Sequence, residues 1–186
     1  MNKIYLFVLT SLLTSSALLS QNTGNFSGSL ESLSHYYLKD DATGQPKPLN
    51  PVASNNYLHL QYTNGPFSGS LQYEAYMPPL SGYPYQLEGN AITGLNFRYS
   101  VEKIDITAGS FYEQFGNGLI FRAFESRELG INTAVNGLRL TLKPAKYLRI
   151  TGIYGKPRKF LELSSSYLRG IDSEIDIGSH EYEEAR

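Results

Sequence analysis

The sequence predicts an all-β protein whose fold class is an antiparallel up-and-down transmembrane β-barrel. Successive segments from Phe67 to Tyr154 place their charged residues on one alternating face and apolar or small residues on the other. Tight turns and long loops take turns between these segments, an alternation typical of barrels in the outer membrane. The amino-terminal residues, which precede the first segment, have the composition of an export signal.

The first 20 residues predict a cleaved secretory signal peptide. A basic start at Lys3 is followed by an apolar stretch from Ile4 to Leu13 and a polar region that ends near Gln21. The apolar stretch is about half of the ~20 residues that a membrane-spanning helix needs. Residues 21–186 are therefore expected to form one domain, and the absence of Cys excludes disulfides, thiolate metal sites and attachment of a lipoprotein lipid.

The period-two pattern predicts eight strands, of which the first and the last are the least regular. In the first strand the alternation changes parity near Leu33, and the last carries three isoleucines against acidic residues. The predicted strands are Phe26–Leu38, Leu58–Tyr62, Phe67–Tyr76, Ala91–Ser100, Ile104–Glu113, Leu138–Lys143, Leu148–Tyr154 and Leu168–Ile177.

The connections predict that all long loops lie at one end of the strands. Short turns are expected at Asn64–Pro66, Val101–Lys103 and Pro144–Lys146. The long loops are expected at Lys39–Asn55, Met77–Asn90, Gln114–Thr133 and Lys156–Tyr167.

Three features favour lipid over a soluble core around the apolar faces. The most regular strands have the length of about 9 to 11 residues that crosses a bilayer at a tilt. The apolar stripe from Phe67 to Tyr154 contains no Lys or Arg, which would cost roughly 2–4 kcal/mol near mid-membrane. Rings near the strand ends predict an aromatic girdle formed by Tyr57, Tyr62, Phe67, Tyr76, Tyr99, Tyr112, Tyr147 and Tyr154.

The chain shows no recognisable catalytic or cofactor motif. Lys+Arg 16 against Asp+Glu 17 leaves no electrostatic footprint for nucleic acid. Gly116-Asn117-Gly118 lacks the third glycine of a dinucleotide loop, and the three histidines are far apart in sequence. His59 is the best candidate base because it is expected to face the lumen. We expect no enzyme activity, no cofactor and no metal.

The segment from Gly116 to Gly137 has two readings. It is either a loop folded into the mouth of a pore, or a network of Arg and Glu pairs that braces an extended strand pair, with its two Asn-Gly pairs as turns. The second reading is favoured because paired charges neutralise each other. The polar residues expected to face the lumen are His59, Glu74, Arg98, Asp105, Glu113, Arg122, Glu125, Arg127, Glu128, Arg139 and Arg149.

The polar tail that ends at Arg186 differs from the aromatic closing strand of complete bacterial barrels. It favours the N-terminal part of a larger barrel, with a complete eight-stranded barrel as the alternative.

The stretch FYEQFGNGLIFRAFESRELGINTAVNGLRL, the signal ending at Gln21 and the later YLRGIDSEI resemble an uncharacterised family of Bacteroidota outer-membrane proteins, a domain of unknown function. The likeness is strongest from Gly109 to Leu140. The resemblance implies an outer-membrane location and a barrel fold, and its members are longer than this chain. It implies no catalytic or binding residue.

These observations lead to one main hypothesis and two alternatives. The main one is a non-enzymatic, porin-like barrel in the outer membrane of a Gram-negative bacterium, acting as a pore, a transport component or a surface structural protein. Its expected partners are outer-membrane lipid and a small-molecule solute or other envelope proteins, not nucleic acid. The alternatives are a barrel hydrolase, in which His59 meets a lumenal acid and a serine, and a secreted soluble β-sandwich that binds glycans through its tyrosines.

Overall fold

The protein is built from β-strands that form one large antiparallel sheet and two short hairpins. The computed structural model describes residues 24–39, 42, 44 and 50–176. The predicted signal peptide and the polar tail lie outside these residues. The strands are β1 Asn25–Tyr36, β2 Val52–Asn64, β3 Phe67–Tyr76, β4 Gly89–Ser100, β5 Ile104–Phe111, β6 Gln114–Phe115, β7 Phe121–Arg122, β8 Glu125–Ser126, β9 Ile131–Asn132, β10 Val135–Ala145, β11 Leu148–Lys159, β12 Glu162–Leu163 and β13 Leu168–Ile175.

The long strands lie side by side in chain order, which is the arrangement that successive hairpins produce. The order is β1-β2-β3-β4-β5-β10-β11, and β13 pairs with β11 beside the short β12. Every pairing in the sheet is antiparallel. The prediction of an all-β antiparallel fold is confirmed, and all eight predicted strands are strands in the structure.

Tight turns and long loops lie at opposite ends of this sheet, as the alternation predicts. Residues 65–66, 101–103 and 146–147 make the tight turns, whereas residues 77–88, 112–134 and 160–167 belong to long connections. The strands at the long-loop end extend further than predicted, because β10 begins at Val135 and β11 continues to Lys159. Among the described residues, no helix has the length and apolar character needed to cross a membrane.

One irregularity of the sequence has no counterpart in the backbone, and one local expectation was wrong. The β1–β2 ladder runs without a register shift, so the parity change near Leu33 is a change of residue type only, and Leu33 lies opposite Asn55. Asn136-Gly137 is not a turn, because both residues are paired inside β10, while Asn117-Gly118 does lie in the turn between β6 and β7.

The structure also contains a β-bulge in β4, which the period-two pattern does not predict. Gln72 pairs with Gly94 and the next residue, Tyr73, pairs with Ile92, so Thr93 is the extra residue. The bulge lets Ile92 and Leu95 share one face although they are three positions apart. It also turns the Thr93 hydroxyl to the opposite face, where it donates to Oε1 of Glu74 at 2.8 Å.

The two faces of the sheet are chemically opposite. On one, which we call the apolar face, large side chains are exposed: Leu30 is 74%, Ile92 62% and Phe97 66% exposed. On the other, the polar face, Glu74, Asp105, Thr107, Thr141 and Thr151 are buried. A sheet in a water-soluble protein normally packs its apolar face on the core and leaves the polar face to solvent. Here the distribution is reversed.

The sheet is strongly curled around its polar face. Glu74 on β3 and Arg158 on β11 are separated by three intervening strands, which in a flat sheet would put their strands about 19 Å apart. Their side chains nevertheless join through two hydrogen bonds of 2.6 and 2.7 Å. An Arg and a Glu side chain cannot bridge the flat-sheet distance, so β3 and β11 must face each other across the polar face.

A row of paired glycines crosses three adjacent strands near the long-loop end of the curl. Gly109, Gly137 and Gly155 are direct partners across β5, β10 and β11. A Cβ on Gly137 would lie 2.0 Å from the carbonyl oxygen of Tyr154, and one on Gly109 would lie 2.1 Å from that of Leu95. The backbones approach too closely here for any side chain, as expected where a sheet bends sharply.

Candidate functional site: the polar face and its loops

The central ion pair of the polar face is completely enclosed. The side chains of Glu74 and Arg158 are 1% and 4% exposed. Both oxygens of Glu74 accept from Arg158, and three further donors reach this carboxylate: Tyr76 Oη at 2.9 Å, Gln72 Nε2 at 2.9 Å and Thr93 Oγ1. The remaining Nε of Arg158 donates to the carbonyl oxygen of Phe160. A buried ion pair is tolerable only when its hydrogen bonds are satisfied in this way.

A second charge cluster lies nearer the tight turns and is organised by Asp105. Arg98 donates to Oδ2 of this carboxylate from Nε and Nη2, and Ser100 donates to the same oxygen. Arg139 donates to Oδ1 through Nη2 at 2.9 Å, and its Nη1 lies 3.3 Å from Glu113. Asp105 therefore holds two guanidinium groups from strands on either side of β5.

The long connection from residue 112 to 134 folds back onto the polar face as two small hairpins. Strands β6 and β7 pair in the first hairpin, and β8 and β9 pair in the second. The first hairpin is anchored by an apolar cluster that contains Phe111, Phe115, Ala123, Val135 and Ile153. Phe115 lies so close to Gly170 on β13 that a Cβ there would meet its ring at 2.6 Å.

The second hairpin is anchored by charge. Gln72 donates to Oε1 of Glu125 at 3.0 Å, and Arg127 donates to Glu31 on the edge strand β1 at 2.7 Å. Arg127 also lies over the ring of Tyr57, 4.9 Å from its centroid. Burial opposes the charged form of Arg127, but the negative charge of Glu125 and the hydrogen bond to Glu31 outweigh it and raise the pKa of Arg127.

A third loop packs beside this hairpin and completes the cover. Leu87, in the short 3-10 helix Tyr85–Leu87, packs with the buried Tyr57 and Tyr76. Tyr83 donates its hydroxyl to the carbonyl oxygen of Arg127 at 2.7 Å. Gly130 has a positive φ of 63°, and a Cβ on it would lie 2.8 Å from Cδ1 of Tyr83, so only a residue without Cβ fits here.

Between the two charge clusters lies a polar cavity of about 340 Å³. Its wall is formed mainly by hydroxyl and amide side chains, two arginines, one histidine and the ring of Tyr112. His59 lies on this wall and pairs with Ser29 and Gln72 across the neighbouring strands. Among the described contacts, no carboxylate or hydroxyl group is hydrogen-bonded to the His59 ring.

The residues expected to face a lumen have different surroundings in the structure. Glu74, Arg98, Asp105, Glu113 and Arg139 belong to the two charge clusters, and Glu125 and Arg127 anchor the second hairpin. The others lie apart from these clusters: His59 is on the cavity wall, Arg122 lies 5.2 Å from the ring centroid of Phe124, Glu128 is exposed, and Arg149 pairs with Glu174 at 3.2 Å.

Each hypothesis for the segment from Gly116 to Gly137 agrees with part of the structure. The hypothesis of an Arg–Glu network agrees with its ion pairs, and the hypothesis of a folded loop agrees with its position on the polar face. Neither reading includes Arg158, the partner of Glu74, or Glu31, the partner of Arg127. The girdle prediction was wrong for three tyrosines. Tyr57 and Tyr76 are buried in the cluster with Leu87, and Tyr112 lies on the wall of the polar cavity. The described residues contain no group of three or more His, Asp and Glu side chains able to hold a metal ion.

The fold and this site define an all-β protein with a curled antiparallel sheet, a charged polar face and loops packed onto that face. The chain belongs to a family of unknown function, DUF6029, whose model matches residues 1–183. The searches of curated proteins and of solved structures gave no match to the chain.

Proposed function

We propose that this protein is a non-enzymatic β-barrel protein of the outer membrane of a bacterium of the Bacteroidota. A cleaved signal peptide would direct its export. The apolar face would contact lipid, the tight turns would lie in the periplasm and the long loops outside the cell. Its partners would be outer-membrane lipid and a small solute or other envelope proteins.

The observation that carries this proposal is the reversed distribution of side chains across the sheet. In water this distribution is unfavourable twice. Burial of the Glu74–Arg158 ion pair costs desolvation free energy, and exposure of Ile92 and Phe97 loses the stabilisation of their burial. In a bilayer the distribution is the expected one, because lipid surrounds the apolar side chains and the polar face is turned to the barrel interior.

The exposed apolar surface is also continuous. Leu60, Leu71 and Leu95 are direct neighbours across β2, β3 and β4, and a shallow apolar groove of about 670 Å³ runs over them. At the tight-turn end the groove is bordered by Phe67 and Tyr99, whose ring centroids are 4.9 Å apart. Paired rings at one edge of an apolar band are what a membrane interface favours. A soluble glycan-binding sandwich would instead need its tyrosines aligned on one exposed face, whereas Tyr57 and Tyr76 are buried.

The free edges of the sheet support a larger barrel. Among the described residues, β1 pairs only with β2, and β13 pairs only with β11. A strand edge inside hydrocarbon would leave its N–H and C=O groups without partners, at a cost of several kcal/mol for each group. We therefore infer that further strands close the barrel between β1 and β13.

The loops on the polar face favour a plugged interior over an open pore. The two hairpins from residue 112 to 134 and the loop with Leu87 occupy the long-loop end of the polar face. Apolar packing, ion pairs and hydrogen bonds all hold them to the sheet or to each other. A surface or solute-binding role therefore fits the geometry better than passive conduction.

The test is a matched pair of arginine substitutions. Leu71 lies in the middle of β3 on the apolar face, while Gln61 lies on β2 opposite Ser70 and is exposed in the polar cavity. Leu71→Arg should destabilise the inserted protein by about 2–4 kcal/mol, because a charge then faces lipid near mid-membrane. Gln61→Arg should cost less than about 1 kcal/mol, because water screens its charge from Arg98 and Arg139 on the same wall.

The measurement is the heat-dependent gel shift of each variant after refolding into lipid vesicles over a series of urea concentrations. We expect the native and Gln61→Arg proteins to give nearly the same transition and Leu71→Arg to unfold at clearly lower urea. Equal transitions for both variants, or a native protein that stays soluble without detergent, would refute membrane insertion through the apolar face.

A further inference from the structure

The wall of the polar cavity contains a hydrogen-bond donor that the protein itself does not use. It belongs to Arg98, because the unpartnered Nε of Arg139 is itself enclosed and not open to the cavity. Arg98 binds Asp105 through Nε and Nη2, and the described contacts give its Nη1 no acceptor. The side chain of Arg98 is 47% exposed, so a molecule can reach it from solvent.

The charges around the cavity are arranged unevenly. Arg98 and Arg139 form part of its wall, whereas Asp105 and Glu113, which pair with them, are not part of that wall. Among the described residues, no carboxylate lines the cavity. A cation entering it would meet guanidinium groups with no carboxylate between, while an anion would find charge-assisted donors.

The rest of the wall suits a molecule with many hydroxyl groups. Ser70 and Asn96 are joined by a hydrogen bond of 2.8 Å and can still exchange hydrogen bonds with a ligand. The Tyr112 hydroxyl accepts from Asn132 at 2.8 Å, which fixes the ring beside the cavity as a flat apolar surface. The volume of about 340 Å³ corresponds to about eleven water molecules, enough for one sugar ring but not for a chain of rings.

We propose that this cavity binds a small polyhydroxylated monocarboxylate, a sugar acid of one ring, with its carboxylate on Arg98, beside the wall residue Arg139. Its hydroxyl groups bind the Ser70 and Asn96 side of the wall, and its C–H face packs on Tyr112. This inference rests on the proposed plugged barrel and identifies the class of solute that the barrel holds.

The experiment is isothermal titration calorimetry of the full chain in detergent micelles with three ligands that share one ring. D-Glucuronate carries one negative charge, D-glucose none and D-glucosamine one positive charge. We expect glucuronate to bind most tightly, glucose at least tenfold more weakly and glucosamine not at all, because a hydrogen bond to a charged group is worth about tenfold or more in affinity.

Two variants and one control locate the binding site. Arg98→Gln should weaken glucuronate at least tenfold and leave glucose within about threefold, because it removes a charge without filling the cavity. Ser70→Leu should abolish binding of both sugars by occupying the space between Arg98 and Asn96. Arg149→Gln, which removes an arginine of the polar face outside the cavity wall, should change neither.

The outcomes separate this inference from the proposed function. A heat-shifted protein that releases no heat with any of the three ligands, or binds all three equally, overturns the sugar-acid site and leaves the barrel standing. A protein that is soluble without detergent overturns the barrel itself. If Arg98→Gln gives no heat-shifted band, Ser70→Leu and the ligand series on the native chain still decide the question.

Discussion

Replacement of Arg158 by methionine tests the curl of the sheet directly. Arg158→Met keeps an apolar side chain of similar length but removes both hydrogen bonds to Glu74, which is 1% exposed. The carboxylate then remains buried with only the donors of Tyr76, Thr93 and Gln72. These three hydrogen bonds keep it partly satisfied but do not neutralise its charge.

The expected loss follows from this geometry. Removal of one partner from a buried ion pair typically costs 3–5 kcal/mol, and the three surviving donors place Arg158→Met near the lower limit, at about 3 kcal/mol. Glu74→Met should cost about 4 kcal/mol or more, because Arg158 then retains only its bond to the Phe160 carbonyl. The double variant should recover most of the loss, since two apolar side chains replace two charges.

The assay is urea unfolding of the refolded protein in micelles, followed by circular dichroism of the sheet, for the native chain, both single variants and the double variant. We expect a coupling free energy of about 3 kcal/mol or more between the two sites. Two single variants that each cost less than about 1 kcal/mol and add independently would show that β3 and β11 do not face each other.

Two further pairs of substitutions test the glycine row and the second hairpin. Gly137→Ala should lower the free energy of unfolding by about 3 kcal/mol, because its Cβ would meet the Tyr154 carbonyl oxygen at 2.0 Å. The control Gly152→Ala has open space around the new Cβ and should change this free energy by less than about 0.5 kcal/mol. Urea titration measures both variants, and equal stability would contradict the close approach of the backbones. Arg127→Ala should lower the free energy of unfolding by about 0.5–1 kcal/mol and speed amide hydrogen exchange in β1 a few-fold, because Glu31 loses its partner. The exposed Glu128→Ala is the control, and unchanged exchange in both variants would mean that the second hairpin does not stabilise the edge strand.

The alternation of polar and apolar residues is a local signal in the sequence. The faces of the strands and the positions of the turns depend on such local signals and could therefore be predicted. The pattern from Phe67 to Tyr76 fixes which side chains share a face, because the period of a strand is two residues. The turn positions follow equally locally from pairs such as Asn64-Gly65. The membership of the polar face, from Glu74 to Arg139, could therefore be read without a structure.

Contacts between distant strands could not be read in this way. Nothing in the sequence near Glu74 points to Arg158, because their meeting depends on how far the sheet curls over three intervening strands. The bulge at Thr93 leaves one trace in the sequence, the spacing of three residues between the apolar Ile92 and Leu95, but the alternation alone does not show which residue is the extra one. Asn136-Gly137 shows the opposite error: a strong local turn signal that is overruled by the close pairing of Gly137 with Gly155.

The separation of Glu74 and Arg158 along the chain also orders events in folding. The two residues are 84 positions apart, and their native contact depends on the β3–β4, β4–β5, β5–β10 and β10–β11 ladders that lie between them. Each ladder adds loop-closure entropy before the pair contributes any stabilisation. We therefore expect the Glu74 carboxylate to stay hydrated until the sheet has curled. The ion pair with Arg158 then forms late in folding, and it stabilises only chains whose hairpins have paired in register.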